Sequence, residues 1–440
     1  MSKLVTVIGP VGTRSGYGSH ARDIVISLLD LGYNVKTLTT RWGNTPQNAL
    51  TKNTERDKRI LDTLVFDGKI ERQPDIHFHI SIPTEFNPIG KLNVGITAGI
   101  EWTVPNPEWV LGMNKMDLNI VPSNFVKQVM GNSIFDQSDQ QGNKVGELKS
   151  QKPIEVLFEG YDESIYSKPD GFSESLHNEL SSIKEDFNFL YTGHWLPGPF
   201  GQDRKDTAGL VKLFIEAFAD MKNAPGLIMK TSCGTFSPPD KYELIKKIDE
   251  IRRSHTTVPL DKQPKIYLLH GELSDVQMNE LNYHPKVKAM ISLTKGEGFG
   301  RPLLEFSTTG KPIIATNFSG HTDFLDADMS LLLGGNLTPV HEQAIPAQYR
   351  HKDSKWFTVD YQQANFAIKD VFTSYDKYLT KGYAQKQISS QFTHGNMTKK
   401  LGEILKPYED KISEHVGINL PKLQKVNKPN EVKLPKLKKV

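Results

Sequence analysis

Lys295-Gly296-Glu297-Gly298-Phe299-Gly300-Arg301-Pro302-Leu303-Leu304-Glu305 sets two carboxylates eight positions apart, across a glycine-rich turn that runs into a helix. Glycine tolerates positive φ and has no side chain, so the backbone N–H groups of such a turn meet an anion directly. Pro302 suits a first helical position, and Leu303-Leu304-Glu305-Phe306 carries the helix onward. Glu305 then lies within reach of whatever the turn holds. In outline this is a grip for a sugar nucleotide. The same residues also suit an ordinary strand–turn–helix with solvated glutamates.

Glu297 and Glu305 match the E-x7-E pattern, and the stretch resembles the corresponding one in retaining glycosyltransferases of the GT-B fold, family 4 in particular. Gly310-Lys311-Pro312-Ile313-Ile314-Ala315-Thr316 and Ser319-Gly320-His321-Thr322-Asp323 continue in that style. The resemblance covers residues 4–405 in outline and is specific in the second half. It implies an α/β architecture of two Rossmann-like, doubly wound domains facing a cleft. An acceptor-side domain is expected over residues 1–185 and a nucleotide-sugar-binding domain over 186–375. Helices around 376–408 are expected to return to the first domain.

The 440 residues exceed one ordinary core and suggest two domains. No apolar run reaches the length that spans a bilayer. The apolar start, Leu4-Val5-Thr6-Val7-Ile8, is short for a signal peptide and reads as a first strand. The single cysteine, Cys233, excludes an intramolecular disulfide and fits a reducing, cytoplasmic setting (host cytoplasm if the chain is viral). It reads as a buried small side chain. The net charge of +3 is uneven, because residues 411–440 hold eight lysines against two glutamates and leave the body slightly acidic. The body is therefore not a basic nucleic-acid-binding domain. The tail nearly repeats Leu420-Pro421-Lys422-Leu423-Gln424-Lys425-Val426 as Leu434-Pro435-Lys436-Leu437-Lys438-Lys439-Val440. Its few apolar groups do not repay ordering, and it reads as a flexible extension, either solubilising or docking to nucleic acid or an acidic protein.

Strand and helix patterns alternate along the body, which argues for mostly parallel sheets covered by helices. Strands are expected at 4–8, 33–39, 76–82, 92–97 and 118–121, with a helix from Ala21 to Gly32 and another opening at Ser123. Residues 9–18 read as a glycine-rich loop, 133–152 as a surface loop, and 361–408 as helical throughout. In the second half strands are expected at 226–229, 265–269, 289–293 and 313–316, with a helix over 207–221.

Gly16-Tyr17-Gly18-Ser19-His20-Ala21 matches G-x-G-x-x-A after a strand. The next strand ends at Lys36–Arg41 without an acid for a ribose, so a dinucleotide site is disfavoured, with Arg41 as the sole argument for NADP. The resemblance instead makes Gly16 and Gly18 a donor-binding loop at the cleft; a tight strand–helix turn is the simpler alternative. It further implies an arginine after Gly193, where this chain has His194, and a lysine that Lys205 matches. Arg204 then supplies the missing charge, with Lys230 a further donor-binding candidate. The resemblance gives Glu305 the ribose hydroxyls and Glu297 the sugar hydroxyls and the anomeric charge. It gives Gly298, Phe299 and Gly300 backbone contacts to sugar or phosphate oxygens. Glu101 stands near where relatives carry a histidine and is a catalytic candidate on the acceptor side, together with Glu297, Lys205 and Arg204. His77 and His79 alternate on one strand without further metal ligands nearby. Asp326-Ala327-Asp328 reads as a loop or cap, and no metal is expected.

The expected function is a retaining glycosyltransferase (hexosyl- or pentosyltransferase) using a nucleotide-sugar co-substrate, UDP- or GDP-linked, with no other cofactor. The acceptor hydroxyl belongs to a glycan, small molecule or lipid. Two alternatives stay open: a phage-type DNA-modifying glycosyltransferase acting on hydroxymethylated bases, and a non-catalytic GT-B-fold binding protein with a docking tail.

Overall fold

The computed structural model describes residues 3–66, 68–255 and 257–414. The chain forms two parallel six-stranded sheets, each wrapped by helices. The first contains β1 (Leu4–Gly9), β2 (Asn34–Thr39), β3 (Ile76–Ile80), β4 (Leu92–Ile96), β5 (Leu118–Val121) and β8 (Ile154–Val156), in the order β2-β1-β3-β4-β5-β8. Between β5 and β8 lies an antiparallel hairpin of β6 (Phe135–Ser138) and β7 (Lys144–Leu148). The second sheet contains β9 (Asn188–Thr192), β10 (Gly226–Lys230), β11 (Ile266–Leu269), β12 (Val287–Ser292), β13 (Ile313–Thr316) and β14 (Leu331–Leu333). Its order is β11-β10-β9-β12-β13-β14, the doubly wound arrangement with a reversal of winding between β9 and β12. In the first sheet the reversal falls between β1 and β3. β1, β3, β4 and β5 are buried along nearly their whole length, and even His77, His79, Asn93 and Asn119 on them are enclosed.

The helices in chain order are α1 (Gly16–Asp30), α2 (Glu55–Leu61), α3 (Pro107–Asn114), α4 (Asn124–Asn132), α5 (Glu174–Ser181) and α6 (Thr207–Phe218). There follow α7 (Pro238–Ser254), α8 (Asp275–Tyr283), α9 (Arg301–Ser307), α10 (Tyr361–Thr373), α11 (Tyr375–Ser389) and α12 (His394–Glu414). Helix α12 lies on the first domain: Met397, Leu401 and Leu405 are fully buried in the core that holds Ile24, Leu28 and Val94. Helix α11 stays with the second, where Gln385 donates to the Phe324 carbonyl at 2.7 Å.

A last strand pair, β15 (Gly335–Pro339) with β16 (Lys355–Val359), ties the domains together. The fully buried Trp356 joins a cluster with Trp102, Trp109 and Val126 of the first domain. Thr103 N donates to the Lys355 carbonyl at 2.8 Å, and Ser354 Oγ to the Val104 carbonyl at 2.7 Å.

The structure corrects four expectations. Helix α1 begins at Gly16, not Ala21, because the Ser15 hydroxyl caps the Gly18 N–H and starts the helix inside the glycine-rich stretch. Residues 133–152 are not an irregular loop but include the β6–β7 hairpin, whose polar exposed strands carry no burial pattern. Residues 361–408 fall into three helices, broken at Ser374, which caps the end of one helix and the start of the next, and again after Ser389. Cys233 is exposed, on the segment between β10 and α7. Helix α12 also runs into the first residues of the Lys-rich segment; residues 415–440, and most of the expected tail with them, lie outside the described residues.

Candidate functional site

In doubly wound sheets a ligand gathers beyond the carboxyl ends of the strands, where the winding reverses. Both reversal points here open onto one cleft of about 620 Å³ between the domains. From the first sheet come the β1–α1 segment, with Ser15, Gly16 and Tyr17, and the post-β4 segment, with Ala98 and Glu101. From the second come Gly193 and His194 after β9, and Glu297 through Pro302 after β12. Arg204, Lys205 and Lys230 line the same space.

Glu297 lies between two cations. Lys205 Nζ donates to one carboxylate oxygen at 2.5 Å and Arg204 Nη1 to the other at 3.2 Å. Burial opposes ionisation of Glu297, but Lys205 and Arg204 overcome it and hold the carboxyl down at about 2. Arg204 also donates to the Gly296 carbonyl at 2.7 Å and stands 3.6 Å from Glu101. Burial raises the Glu101 carboxyl, with Arg204 opposing and Glu297 reinforcing. Sequence neighbours Arg204 and Lys205 are thus joined to Glu297 and Glu101, from two other parts of the chain, in one charged group.

Lys295, the first residue of the decisive stretch, does not face the cleft. Its amine donates to Thr358 Oγ1 at 3.0 Å and lies 3.8 Å from Asp206, fully buried beneath the turn. Asp206 accepts in turn from the Tyr361 hydroxyl and starts α6 with a left-handed backbone. This buried group fixes the base on which Arg204 and Glu297 stand.

The glycines of the turn serve interdomain packing. A Cβ on Gly296 would lie 1.9 Å from the Glu101 carbonyl oxygen, and one on Gly298 2.1 Å from that of Ala98. Ser123 Oγ donates to the Gly298 carbonyl at 2.6 Å across the same seam. Gly300 takes φ +97, which leads the chain into α9. Phe299 borders the cleft, while its ring packs on Phe324 in the core of the second domain. Gly298→Ala is therefore expected to force the domains apart and cost about 1–3 kcal/mol. A lower urea midpoint than that of Gly171→Ala, at an open site without positive φ, checks this. In the first domain Gly16 has open space at its Cβ position, whereas a Cβ on Gly18 would lie 2.3 Å from the Thr13 carbonyl oxygen. Gly18 is the close-packing position and Gly16 the one that borders the cleft.

Glu305 is joined to a charge network that the sequence did not announce. Arg301 Nε donates to Glu305 at 2.8 Å, and its Nη1 reaches Asp23 of α1 across the domain boundary. Asp23 also receives Arg56, which holds Asp162 at 2.8 Å. Burial pushes the Glu305 carboxyl up to about 7 against the pull of Arg301. Asp23 moves the other way: burial opposes its ionisation, yet Arg301 and Arg56 keep it well below the usual carboxylate range. The Arg301–Glu305 pair was legible as a four-residue spacing on one helix face. Asp23, Arg56 and Asp162 were not, since they come together only through the fold.

His194 Nδ1 lies 2.8 Å from Ser232 Oγ, and burial, reinforced by Lys205 and Lys230, lowers its affinity for a proton. Lys230 donates to the Gly271 carbonyl at 2.6 Å over the Phe236 ring, and burial lowers its amine to about 8. Tyr17 and Trp42 stack with ring centroids 3.9 Å apart at the first-domain wall. His77 and His79 lie outside the cleft lining: His77 Nδ1 is 2.9 Å from Thr6 Oγ1, and His79 Nδ1 accepts from Asn87 N at 3.1 Å. Asp326-Ala327-Asp328 forms a turn closed by Asp328 N on Asp326 Oδ1 at 2.8 Å. Among the described residues no group of three or more His, Cys, Asp or Glu side chains is placed to hold a metal ion, and no helix is long and apolar enough to cross a membrane.

No protein-family model matches the sequence, and no curated protein matches it. Solved structures do. HepE of Anabaena, in complex with UDP-glucose, superposes with a TM-score of 0.60 at 14% identity, over 92% of this chain and 100% of that one. Sucrose-phosphate synthase from Thermosynechococcus elongatus gives 0.59 at 10% identity, over 93% and 100%. A glycosyltransferase from Rickettsia africae gives 0.58 at 14%, over 94% and 99%. At such identities the likeness is one of fold, and it agrees with the strand orders and the shared cleft: the chain adopts the GT-B fold, two Rossmann-like domains with parallel sheets facing one another.

Proposed function

We propose that this chain is a retaining glycosyltransferase that moves a sugar from a nucleotide-linked donor to a hydroxyl acceptor. The observation that carries this reading is the ionised Glu297, held between Lys205 and Arg204 where the two reversal points open onto the cleft. In such a transfer the acceptor oxygen bonds to the anomeric carbon while the bond from that carbon to the phosphate oxygen breaks. The electron pair stays on the phosphate, and the acceptor proton passes to a phosphate oxygen on the same face. Retention follows because the new bond forms on the face the old one leaves.

Negative charge grows on the departing diphosphate, so fixed positive charge nearby lowers the barrier. Lys205 is the first candidate for that role and Arg204 its neighbour, with Lys230 a second lysine on the same wall. Helix α1 adds the partial positive charge of its N-terminus beside Gly16. Glu297 would accept sugar hydroxyls and steady positive charge at the anomeric carbon. Glu305 would bind the ribose, and Glu101 would face the acceptor. The intact Glu297–Lys205–Arg204 group favours catalysis over a binding protein with a decayed site.

The test is a thermal-shift and calorimetric screen across UDP-, GDP-, ADP- and CDP-sugars, with NADP as control. UDP-glucose is the first to try, given the ligand of HepE. One tight sugar nucleotide is expected; binding of NADP alone would refute the reading. Glu305→Ala is expected to weaken the binding of that donor by tens-fold, and unchanged affinity in the folded variant would remove Glu305 from the site.

A further inference from the structure

The Glu159 carboxyl lines the cleft and is used by neither the E-x7-E pair nor the lysine–arginine pair. Glu159 follows β8 in the segment Phe158-Glu159-Gly160-Tyr161-Asp162. That segment is fixed on its far side. Gly160 is pressed against the His394 backbone, Tyr161 N donates to the Phe392 carbonyl at 3.0 Å, and Asp162 holds Arg56. The Glu159 side chain lines the cleft at 6% exposure, and it has no hydrogen-bond partner among the described residues. A carboxyl enclosed by the fold, open to the cleft and without a protein partner is free to hydrogen-bond a ligand there.

Its surroundings define that ligand. Burial, with Asp23, Glu305 and Glu297 reinforcing it and Arg301 opposing, raises the carboxyl to about 7. The nearby carboxylates of Asp23, Glu305 and Glu297 are each paired with a cation, which leaves no free positive charge to draw an anion to Glu159. A neutral hydroxyl fits, since a carboxyl accepts from it in either protonation state. Arg301 Nε and Tyr166 already take about half of the acceptor sites of Glu305, so a second carboxyl beside it eases the binding of two hydroxyls. Vicinal hydroxyls between the two carboxyls would satisfy both.

We propose that Glu159 shares the donor's ribose with Glu305, each carboxyl taking one of the two vicinal hydroxyls. This rests on the reading of the cleft as a nucleotide-sugar site. The test is calorimetry of UDP, GDP and ADP, and of their 2′-deoxy and 3′-deoxy forms, with the wild type, Glu159→Ala and Glu159→Gln. The wild type is expected to lose about tenfold in affinity on removal of either hydroxyl. Glu159→Ala should lose a similar factor for the ribonucleotide and become indifferent to one hydroxyl while still discriminating the other. Should Glu159→Ala fail to fold, Glu159→Gln keeps the volume and is read by the same ratios, with discrimination at one position reduced. A folded variant as sensitive as the wild type to both hydroxyls overturns the assignment of Glu159 alone. A wild type that binds none of the three diphosphates overturns the nucleotide-site reading, and this assignment with it.

Discussion

Glu297→Gln is expected to lower the rate of sugar transfer by about a hundred- to a thousandfold, the usual cost of removing one preorganised charge from a reaction centre. The substitution keeps the shape of the side chain and deletes its charge. Lys205 and Arg204 then lose the carboxylate that both of them contact. The positive charge they carry is no longer balanced, and nothing steadies the anomeric carbon as its bond to phosphate lengthens. Stability should fall too, by up to about 3–5 kcal/mol, as for other buried pairs broken on one side. Donor affinity measured beside the transfer rate separates the two effects: a catalytic role predicts a larger loss in kcat than in binding. The pH dependence has a definite sign. The Glu297 carboxyl is depressed from 4.5 to about 2 in the fold, so its stabilising contribution is present above the unfolded value and fades as the pH falls through about 2. Acid unfolding of Glu297→Gln should therefore be shallower over that window than that of the wild type.

Asp23→Ala is expected to be the most destabilising single change in the charge network, at about 3–5 kcal/mol. Asp23 is almost fully buried and receives both Arg301, from the second domain, and Arg56, from the helix beside it. Without it two guanidinium groups share a closed space with no anion between them. Each keeps one further partner, Glu305 for Arg301 and Asp162 for Arg56, which limits the loss. Because Arg301 reaches Asp23 across the domain boundary, the cleft should loosen with the network. A urea titration reads the stability loss. A midpoint within experimental error of the wild type would show that the network is not what holds α9 against α1. Asp23 lies below its ordinary carboxyl range in the fold, so this stabilisation too is present at neutral pH and lost on acidification.

The parts of this molecule that were legible in its sequence are those set by local chemistry. Apolar-rich segments marked β1, β3 and β5, although both faces are buried and polar side chains such as His77, His79 and Asn119 are enclosed with them. The glycine turn and its flanking glutamates marked the β12–α9 junction, since the pattern is short and continuous. Arg204 and Lys205 were singled out through the resemblance, and they meet Glu297 in space. The reading was weaker where a residue's role depends on a distant partner. Lys295 belongs to the motif yet is a buried support, because Asp206 and Thr358 lie beneath it. Gly296 and Gly298 fit a phosphate-binding turn, but the structure gives them a second task, allowing the Ala98–Glu101 backbone to approach. Asp23 and Glu159 carried no signal, one in the middle of an amphipathic helix and the other in an irregular crossing. Their environment is assembled from both domains. The hairpin at 133–152 was missed because two exposed polar strands of four and five residues leave no period to detect.

The most direct test of the central claim is a crystal structure with the tightest nucleotide sugar found in the screen. The diphosphate is expected beside Lys205, the ribose against Glu305 and the sugar against Glu297. A nucleotide bound elsewhere, with the cleft between Lys205 and Glu305 left empty, would contradict it.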